Sequence, residues 1–317
     1  MSKTKTIPKI LKEIKNYQPM VVDYSFQKTI SYSAFSTYSA CPKKWSLMYK
    51  DGHYISEPST HMTFGTAIHN TIQNYLTVMY NTSTAEADKI DLGEYFQEQF
   101  TNTYKETYTT NKKTHYSTPL EMREFYDDGL MILDFLKKKK GQYFSKKGWH
   151  LVGCEIPILI SPFTRYRNVI FKGFVDLILY HEETNKFIIY DIKTSTRGWG
   201  DREKKDETKI SQILLYKHYF SKQFNVPEEN IEVEFFIVKR KLPENNEFFL
   251  KPIQQFSPAS GKNKTTKAVQ NIEKFIDECF DTTGIKEKEH SPNPSKYACT
   301  YCPFRDRKDL CKDGIPS

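Results

Sequence analysis

Residues 171–194 read FKGFVDLILYHEETNKFIIYDIKT, and the predicted fold is built around these residues. An apolar run over residues 174–180 is followed by the polar segment 183–186 and by a second apolar run over residues 187–192. Two apolar runs separated by a short polar turn are typical of a β-hairpin. The stretch therefore predicts two adjacent strands in the interior of the protein.

Each predicted strand carries one carboxylate among apolar residues. Asp176 lies midway along the first strand, and Asp191 lies near the end of the second, two positions before Lys193. An ionised carboxylate in a buried strand is costly unless it is paired or holds a cation. The two carboxylates and the lysine therefore indicate either a metal site or a pair of salt bridges at the strand ends.

Composition restricts the class of protein. A chain of 317 residues that is 38% hydrophobic can bury a large core, as one elaborated domain or as a core with an appended helical part. Its net charge of +8 favours a polyanionic partner. The apolar runs are too short to span a membrane, and the basic N-terminus has no apolar signal region. We therefore expect no membrane association and a cytoplasmic location, where cysteines are thiols or metal ligands.

Four segments are predicted along the chain. Residues 1–30 are expected to form a basic, loosely ordered arm with one short helix at most, and residues 31–148 a helical region that carries Cys41 and His69. The α/β core is expected over residues 149–285, and a cysteine-rich segment over residues 286–317 is expected to pack back on the N-terminal region.

Hydrophobic periodicity and turn residues place the secondary structure within these segments. Helices are predicted after an N-cap at Ser33 and over residues 64–80, 92–104, 120–140, 208–224 and 268–280. Strands are predicted, besides the hairpin, over residues 150–160 and 231–238 and at a possible edge, Glu247–Leu250. Residues 194–207 are predicted to form a flexible loop.

The C-terminal segment contains Cys299, Cys302 and Cys311. A C-x2-C pair chelates one metal well, and a third cysteine leaves a four-coordinate site one ligand short, for which Cys41 is the candidate. This spacing fits a zinc ion and an iron–sulfur cluster equally, and unliganded thiols are the remaining alternative. Two further cysteines, Cys154 and Cys279, fall in apolar patterns and are predicted to be buried thiols.

Six motifs in order resemble the RecB-type branch of the PD-(D/E)XK nuclease superfamily. They are S-x-S-x-F-x-x-Y-x-x-C-P at residues 31–42, G-x-x-x-H at 65–69, Glu155, G-x-x-D at 173–176, D-I-K-T at 191–194 and Q-x-x-x-Y at 212–216. The resemblance implies a restriction-endonuclease-like α/β fold, a mixed central sheet flanked by helices, in the order helix, three strands, helix, strand.

The resemblance also implies roles for individual residues. The metal ligands for Mg²⁺ or Mn²⁺ would be His69, Asp176, Asp191 and the carbonyl of Ile192. Lys193 would orient and help to deprotonate the attacking water or stabilise the developing negative charge. The remaining implied residues support this site: Gln212 and Tyr216 would hold the lysine or the DNA strand, and Glu155 would orient a ligand or bind metal through water.

The cysteines resemble those of the iron–sulfur variant found in AddB-type and CRISPR-associated RecB-class exonucleases, in which one N-terminal cysteine joins three C-terminal ones. A [4Fe-4S] cluster is therefore expected, with Zn²⁺ as the alternative. The interval between Cys302 and Cys311 is longer than in that pattern.

The resemblance implies a metal-dependent DNA nuclease, an exonuclease acting on single-stranded DNA or DNA ends in recombination, repair or phage DNA processing. The chain has no G-x-x-x-x-G-K-[ST] motif, so it would act alone or beside a helicase or recombination partner, in a bacterium or a phage-infected host cell. Two alternatives remain: a non-catalytic nucleic-acid-binding module with a structural metal or cluster, and an RNA-directed role.

Overall fold

The computed structural model describes residues 8–53, 55, 57–161, 163, 165–242 and 250–315. The helices within them are α1 Lys9–Lys15, α2 Tyr32–Ala40, α3 Pro42–Trp45, α4 Thr60–Asn81, α5 Thr84–Asp88, α6 Leu92–Thr110, α7 Pro119–Lys139, α8 Asp201–Lys204, α9 Glu207–Phe224, α10 Lys262–Cys279 and α11 Lys296–Thr300. The strands are β1 Lys28–Ile30, β2 Trp149–Ile160, β3 Val169–His181, β4 Lys186–Ser195, β5 Ile231–Lys239, β6 Ile253–Phe256, β7 Phe280–Asp281 and β8 Gly284–Ile285.

The main sheet is built on the predicted hairpin, which is confirmed. Strands β3 and β4 pair antiparallel, β2 pairs antiparallel with β3, and β5 pairs parallel with β4 after the crossover through α9. The sheet order is β1-β3-β4-β5-β6, with β2 also paired to β3. The predicted mixed α/β sheet, and its order of helix, three strands, helix and strand, is therefore confirmed.

Helices cover both faces of the sheet because side chains alternate between the faces along each strand. In β4, Ile189 packs into one apolar cluster with residues of α1, α2, α9 and α10. Its neighbour Tyr190 packs into the other cluster, with residues of α4, α6 and α7. None of the described helices is both long enough and apolar enough to cross a membrane.

The N-terminal segment is more ordered than the sequence predicted. Leu11 and Ile14, three positions apart on α1, are buried in the core, and β1 pairs parallel with the beginning of β3. A short helix was within the expectation for this segment, but its packing into the core and the strand β1 were not. Such packing depends on tertiary contacts, which the local sequence does not show.

Two local predictions also differ from the structure, one at the start of α2 and one after β4. The N-cap of α2 is Ser31, whose hydroxyl accepts a hydrogen bond from the amide of Ala34, and Ser33 lies inside the helix. The predicted loop 194–207 is wrong at both ends, because β4 continues to Ser195 and α9 begins at Glu207, and the short helix α8 lies between them.

The predicted edge strand Glu247–Leu250 lies outside the described residues except for Leu250, which belongs to no strand. The strand described at the edge of the sheet next to β5 is β6.

Replacing Leu11 with alanine tests whether α1 belongs to the core. The side chain is 1% exposed, so Leu11→Ala should lower the free energy of unfolding by about 2 kcal/mol or more. Chemical denaturation measures this loss, and Lys12→Ala, on the exposed side of the same helix, is the matched control. Equal stability of the two variants would show that α1 does not pack as described.

Candidate active site

The end of β4 brings a carboxylate and an ammonium group together inside the protein. Asp191 and Lys193 are two positions apart and therefore share one face of the strand. Asp191 is 1% exposed, and its Oδ2 lies 2.8 Å from Lys193 Nζ. The neighbouring strand contributes Asp176, whose Oδ2 accepts a hydrogen bond of 2.7 Å from the amide of Ile192. The hairpin thus joins both predicted carboxylates and the lysine in one site.

Burial disfavours negative charge at both carboxylates. Burial raises the pKa of Asp191, and Lys193 opposes this rise. Burial also raises the pKa of Asp176 well above its usual value, with the charge of Asp191 as the second cause. Apart from Lys193, Asp191 Oδ2 has no hydrogen-bond donor among the described residues. A buried carboxylate that is balanced by a single ammonium group can also serve as a ligand for a cation.

His69 reaches the same site from α4. Its Nδ1 lies 3.9 Å from Asp176 Oδ2. Burial, and then the charge of Lys193, lower the pKa of His69 to about 4, while a hydrogen bond to the Ile192 backbone acts in the opposite direction. The imidazole is therefore neutral at neutral pH, the form that can bind a metal.

The glycine of the G-x-x-x-H motif allows α4 to approach β4. A Cβ atom on Gly65 would lie 3.3 Å from Thr194 Oγ1, which is a tight contact. Glycine at this position thus lets the helix that carries His69 lie directly against the strand that carries Lys193.

The Q-x-x-x-Y motif holds the lysine from α9. Gln212 Oε1 accepts a hydrogen bond of 2.8 Å from Lys193 Nζ, and Gln212 Nε2 is 3.4 Å from the Tyr216 hydroxyl that it donates to. The two residues are four positions apart and so lie on one side of the helix. A Cβ on Gly173 would lie 2.7 Å from Tyr216 Cε1, so the glycine of G-x-x-D leaves room for the tyrosine ring.

Glu155 is connected to Asp176 through a residue that the sequence did not reveal. Glu155 Oε1 accepts a hydrogen bond of 2.7 Å from Gln73 Nε2, and Gln73 Nε2 also donates to the Asp176 carbonyl at 2.9 Å. The backbone of Glu155 has φ 51°, which costs a non-glycine residue on the order of 1 kcal/mol. The only local signal for Gln73 is its position one helical turn after His69.

The described residues contain no group of three or more His, Cys, Asp and Glu side chains that is arranged as a metal site. The donors expected to bind a divalent cation are therefore adjacent without being in coordination geometry. The donor chemistry nevertheless fits such a cation, because it combines two carboxylates with a neutral imidazole.

The four cysteines of the predicted metal or cluster site line a separate small cavity of about 20 Å³. These are Cys41, Cys299, Cys302 and Cys311, and all of them are free thiols. The amide of Asn293 lies 3.4 Å from Cys41 Sγ, so the C-terminal segment packs against the end of α2. Burial raises the pKa of Cys302, and its neighbours Cys41 and Cys299 add to the rise.

The remaining two cysteines lie elsewhere. Cys279 is fully buried, as predicted, and its Sγ lies 4.0 Å from His290 Nε2. Cys154 is only partly buried, so the prediction of a buried thiol is wrong in degree there.

A mixed sheet whose central hairpin presents Asp176, Asp191 and Lys193 on one site defines a nuclease-like fold. Residues 29–307 match the family model of the PD-(D/E)XK nuclease superfamily. The chain therefore belongs to that superfamily, as its motifs predicted. The match leaves the likeness to AddB-type proteins a prediction.

The other comparisons do not extend this assignment. A crystal structure of a protein from Eubacterium rectale, which carries the provisional name of exonuclease, matches 82% of this chain and 85% of its own. The two sequences are 10% identical and the TM-score is 0.43, so this similarity supports no further argument. No curated protein matches the sequence.

Neutralising Asp176 should stabilise the protein in the absence of divalent metal. The pKa of Asp176 is raised in the folded state, so its ionised form weakens folding at every pH above that raised pKa. Asp176→Asn removes the charge and keeps an oxygen that can accept from Ile192. In EDTA at neutral pH we expect its melting temperature to rise by roughly 2–4 °C for each kcal/mol of relieved repulsion.

The control is Asp134→Asn, which removes an exposed carboxylate from α7 and should leave the melting temperature unchanged. A lower melting temperature for Asp176→Asn than for the wild type would show that the carboxylate stabilises the fold.

Proposed function

We propose that this protein is a metal-dependent DNA nuclease that hydrolyses phosphodiester bonds, and that it acts as an exonuclease on single-stranded DNA or DNA ends. The observation that carries the proposal is the convergence of Asp176, Asp191 and Lys193 at one buried site, in a chain that belongs to a nuclease superfamily. The net charge of +8 supports a polyanionic substrate.

Four groups would hold the divalent cation, Mg²⁺ or Mn²⁺: the side chains of His69, Asp176 and Asp191 and the carbonyl of Ile192. Support comes from the buried Asp191 Oδ2, which has no donor besides Lys193 among the described residues, and from the neutral state of His69. When bound, such a cation polarises the phosphodiester and makes a water molecule easier to deprotonate.

Lys193 is proposed to act on the phosphate itself. Its ammonium group is fixed by Asp191 and by Gln212, which in turn is positioned next to Tyr216. A fixed positive charge in a partly buried site stabilises the negative charge that develops on the phosphate oxygens. Because Lys193 is about one-third exposed, its ammonium group can reach a substrate that enters the site.

Glu155 is proposed as a positioning residue. Its side chain accepts a hydrogen bond from Gln73, and Gln73 donates to the backbone carbonyl of Asp176, so Glu155 in the middle of β2 helps to position Asp176 on the next strand. Contact of Glu155 with metal through water, as the resemblance implies, is compatible with its exposed side chain.

The four cysteines are proposed to bind a [4Fe-4S] cluster, with Zn²⁺ as the alternative. Support comes from the cavity that all four line and from the packing of Asn293 on Cys41. Joining Cys41 to the C-terminal segment closes a loop of about 260 residues, which would remove roughly 5 kcal/mol of chain entropy from the unfolded state.

Partners and location follow from the same proposal. A nuclease without a nucleotide-binding motif depends on another protein to unwind duplex DNA, so a helicase or recombination protein is the proposed partner. A reducing cytoplasm is the proposed location, because the four thiols would stay available as ligands there.

Cleavage of labelled DNA tests the nuclease proposal. Single-stranded and double-stranded substrates are incubated with purified protein in Mg²⁺ or Mn²⁺. Asp191→Ala and Lys193→Ala should each lower the rate about 100-fold or more, because the first removes a proposed metal ligand and the second the charge proposed to act on the phosphate. Asp134→Ala and Lys222→Ala, which remove exposed charges of the same sign, are the controls.

Two results would contradict the proposal. Equal cleavage by wild type, Asp191→Ala and Lys193→Ala would place the active site elsewhere. DNA binding without cleavage under all conditions would favour the non-catalytic binding module.

Spectroscopy and metal analysis test the cysteine site. A [4Fe-4S] cluster gives a brown protein that absorbs near 400 nm, whereas zinc gives a colourless protein with one Zn²⁺ per chain. Cys311→Ser should lose the metal and lower the melting temperature, whereas Cys154→Ser, which changes a thiol outside the cavity, should retain both. Wild-type protein purified without air and free of iron and zinc would contradict the proposal.

A further inference from the structure

A cleft between α4 and α6 lies outside the residues assigned so far. Its volume is about 440 Å³, within the range of roughly 300–1,000 Å³ that is usual for small-ligand sites. We call it the threonine cleft, and its lining residues are Pro58, Ser59, Met62, Thr63, Thr66, Thr103, Thr107, Thr110 and Asn111. None of these lining side chains is charged, and most carry a hydroxyl group.

Helical spacing produces the hydroxyl lining. On α6, Thr103, Thr107 and Thr110 are four and three positions apart and so form one stripe along the helix. The facing stripe on α4 includes Thr63 and Thr66. Hydroxyl groups donate hydrogen bonds to phosphate and sugar oxygens without reading the sequence of a nucleic acid.

One residue of the cleft lies a helical turn away from the candidate active site. Thr66 is exposed and precedes His69 by three positions, so the two lie on one side of α4. The neighbouring Gly65 lies against Thr194, the residue that follows Lys193. A strand whose phosphate lies at the carboxylates could therefore continue along this cleft.

A stack of aromatic rings borders the cleft. The ring centroids of Tyr104 and Tyr116 are 4.7 Å apart, and those of Tyr108 and His115 are also 4.7 Å apart. A hydrogen bond of 2.7 Å joins the Tyr116 hydroxyl to Thr63 in the cleft. The three tyrosine rings are only partly buried and His115 is exposed, so the stack presents ring surface to solvent.

We propose that the threonine cleft and this aromatic stack bind a single-stranded segment of DNA that leads into the active site. The hydroxyl groups hold the backbone, and the rings stack on unpaired bases. Bases of a duplex already stack on one another and are not free to do so, which is why the surface fits a single strand. The inference rests on the proposed nuclease function and assigns its substrate a path.

A carboxylate placed in the cleft tests the path, because it repels the phosphates of a bound strand. Thr107→Glu should weaken the binding of a fluorescein-labelled oligothymidylate about 10-fold or more. Thr109→Glu, on the same helix but turned about 200° away, is the matched control and should bind as the wild type does. Fluorescence anisotropy in EDTA measures the affinity without cleavage.

Removing an aromatic ring provides a second test. Tyr108→Leu keeps an apolar side chain but loses the stacking surface, so single-strand affinity should fall about 10-fold, while affinity for a blunt duplex should stay within about twofold. The control is Tyr95→Leu, which removes a half-buried tyrosine about 20 Å away along α6.

The outcomes separate this inference from the proposed function. Equal single-strand affinity of Thr107→Glu and Thr109→Glu, or equal losses for single strand and duplex in Tyr108→Leu, would overturn the cleft proposal and leave the nuclease assignment standing. If the wild type does not cleave DNA but both cleft variants lose single-strand affinity, the nuclease assignment fails and the cleft proposal stands.

Discussion

The contact between Asp191 and Lys193 is the constraint on which the rest of the site depends. A charged pair at the end of a central strand loses its hydration, and this cost is recovered only if further groups compensate the two charges. Gln212 compensates the ammonium group from α9. The Asp191 oxygen in this contact, Oδ2, has no donor besides Lys193 among the described residues. The helices that flank the sheet are therefore required for the chemistry of the strand.

Close packing follows from this requirement. The groups that serve the pair come from both sides of the sheet, so both helices must lie near the strands. Gly65 lets α4 approach β4, and Gly173 lets the Tyr216 ring lie over β3. Alanine at Gly173 would displace the Tyr216 ring, because its Cβ would lie 2.7 Å from Tyr216 Cε1, which is shorter than van der Waals contact. The glycines of two motifs are thus explained by space, and neither has a left-handed backbone.

The parts of the site that could be predicted from sequence are those with a local pattern. The two apolar runs predict the hairpin, and the spacing of four residues places Gln212 and Tyr216 on one side of a helix. Gln73 has no such pattern, because its partners Glu155 and Asp176 lie 82 and 103 residues away in the chain. The position of α1 was missed for the same reason, since its contacts are tertiary. The threonine cleft could not be predicted either, because it depends on how α4 and α6 are aligned side by side, and hydrophobic periodicity does not give that alignment.

Burial is the largest influence on the pKa values of the groups around Lys193, and the charge of Lys193 modifies them. Its positive charge lowers the pKa of His69 and works against the rise in the pKa of Asp191. Both effects favour the forms that bind a cation, a neutral imidazole and an ionised carboxylate. Asp176, which is held in addition by the amide of Ile192, is influenced in the same direction. The D-x-K spacing, which places Lys193 two positions beyond Asp191 on the same face of the strand, thus brings one positive charge close to three side chains that are proposed as metal ligands.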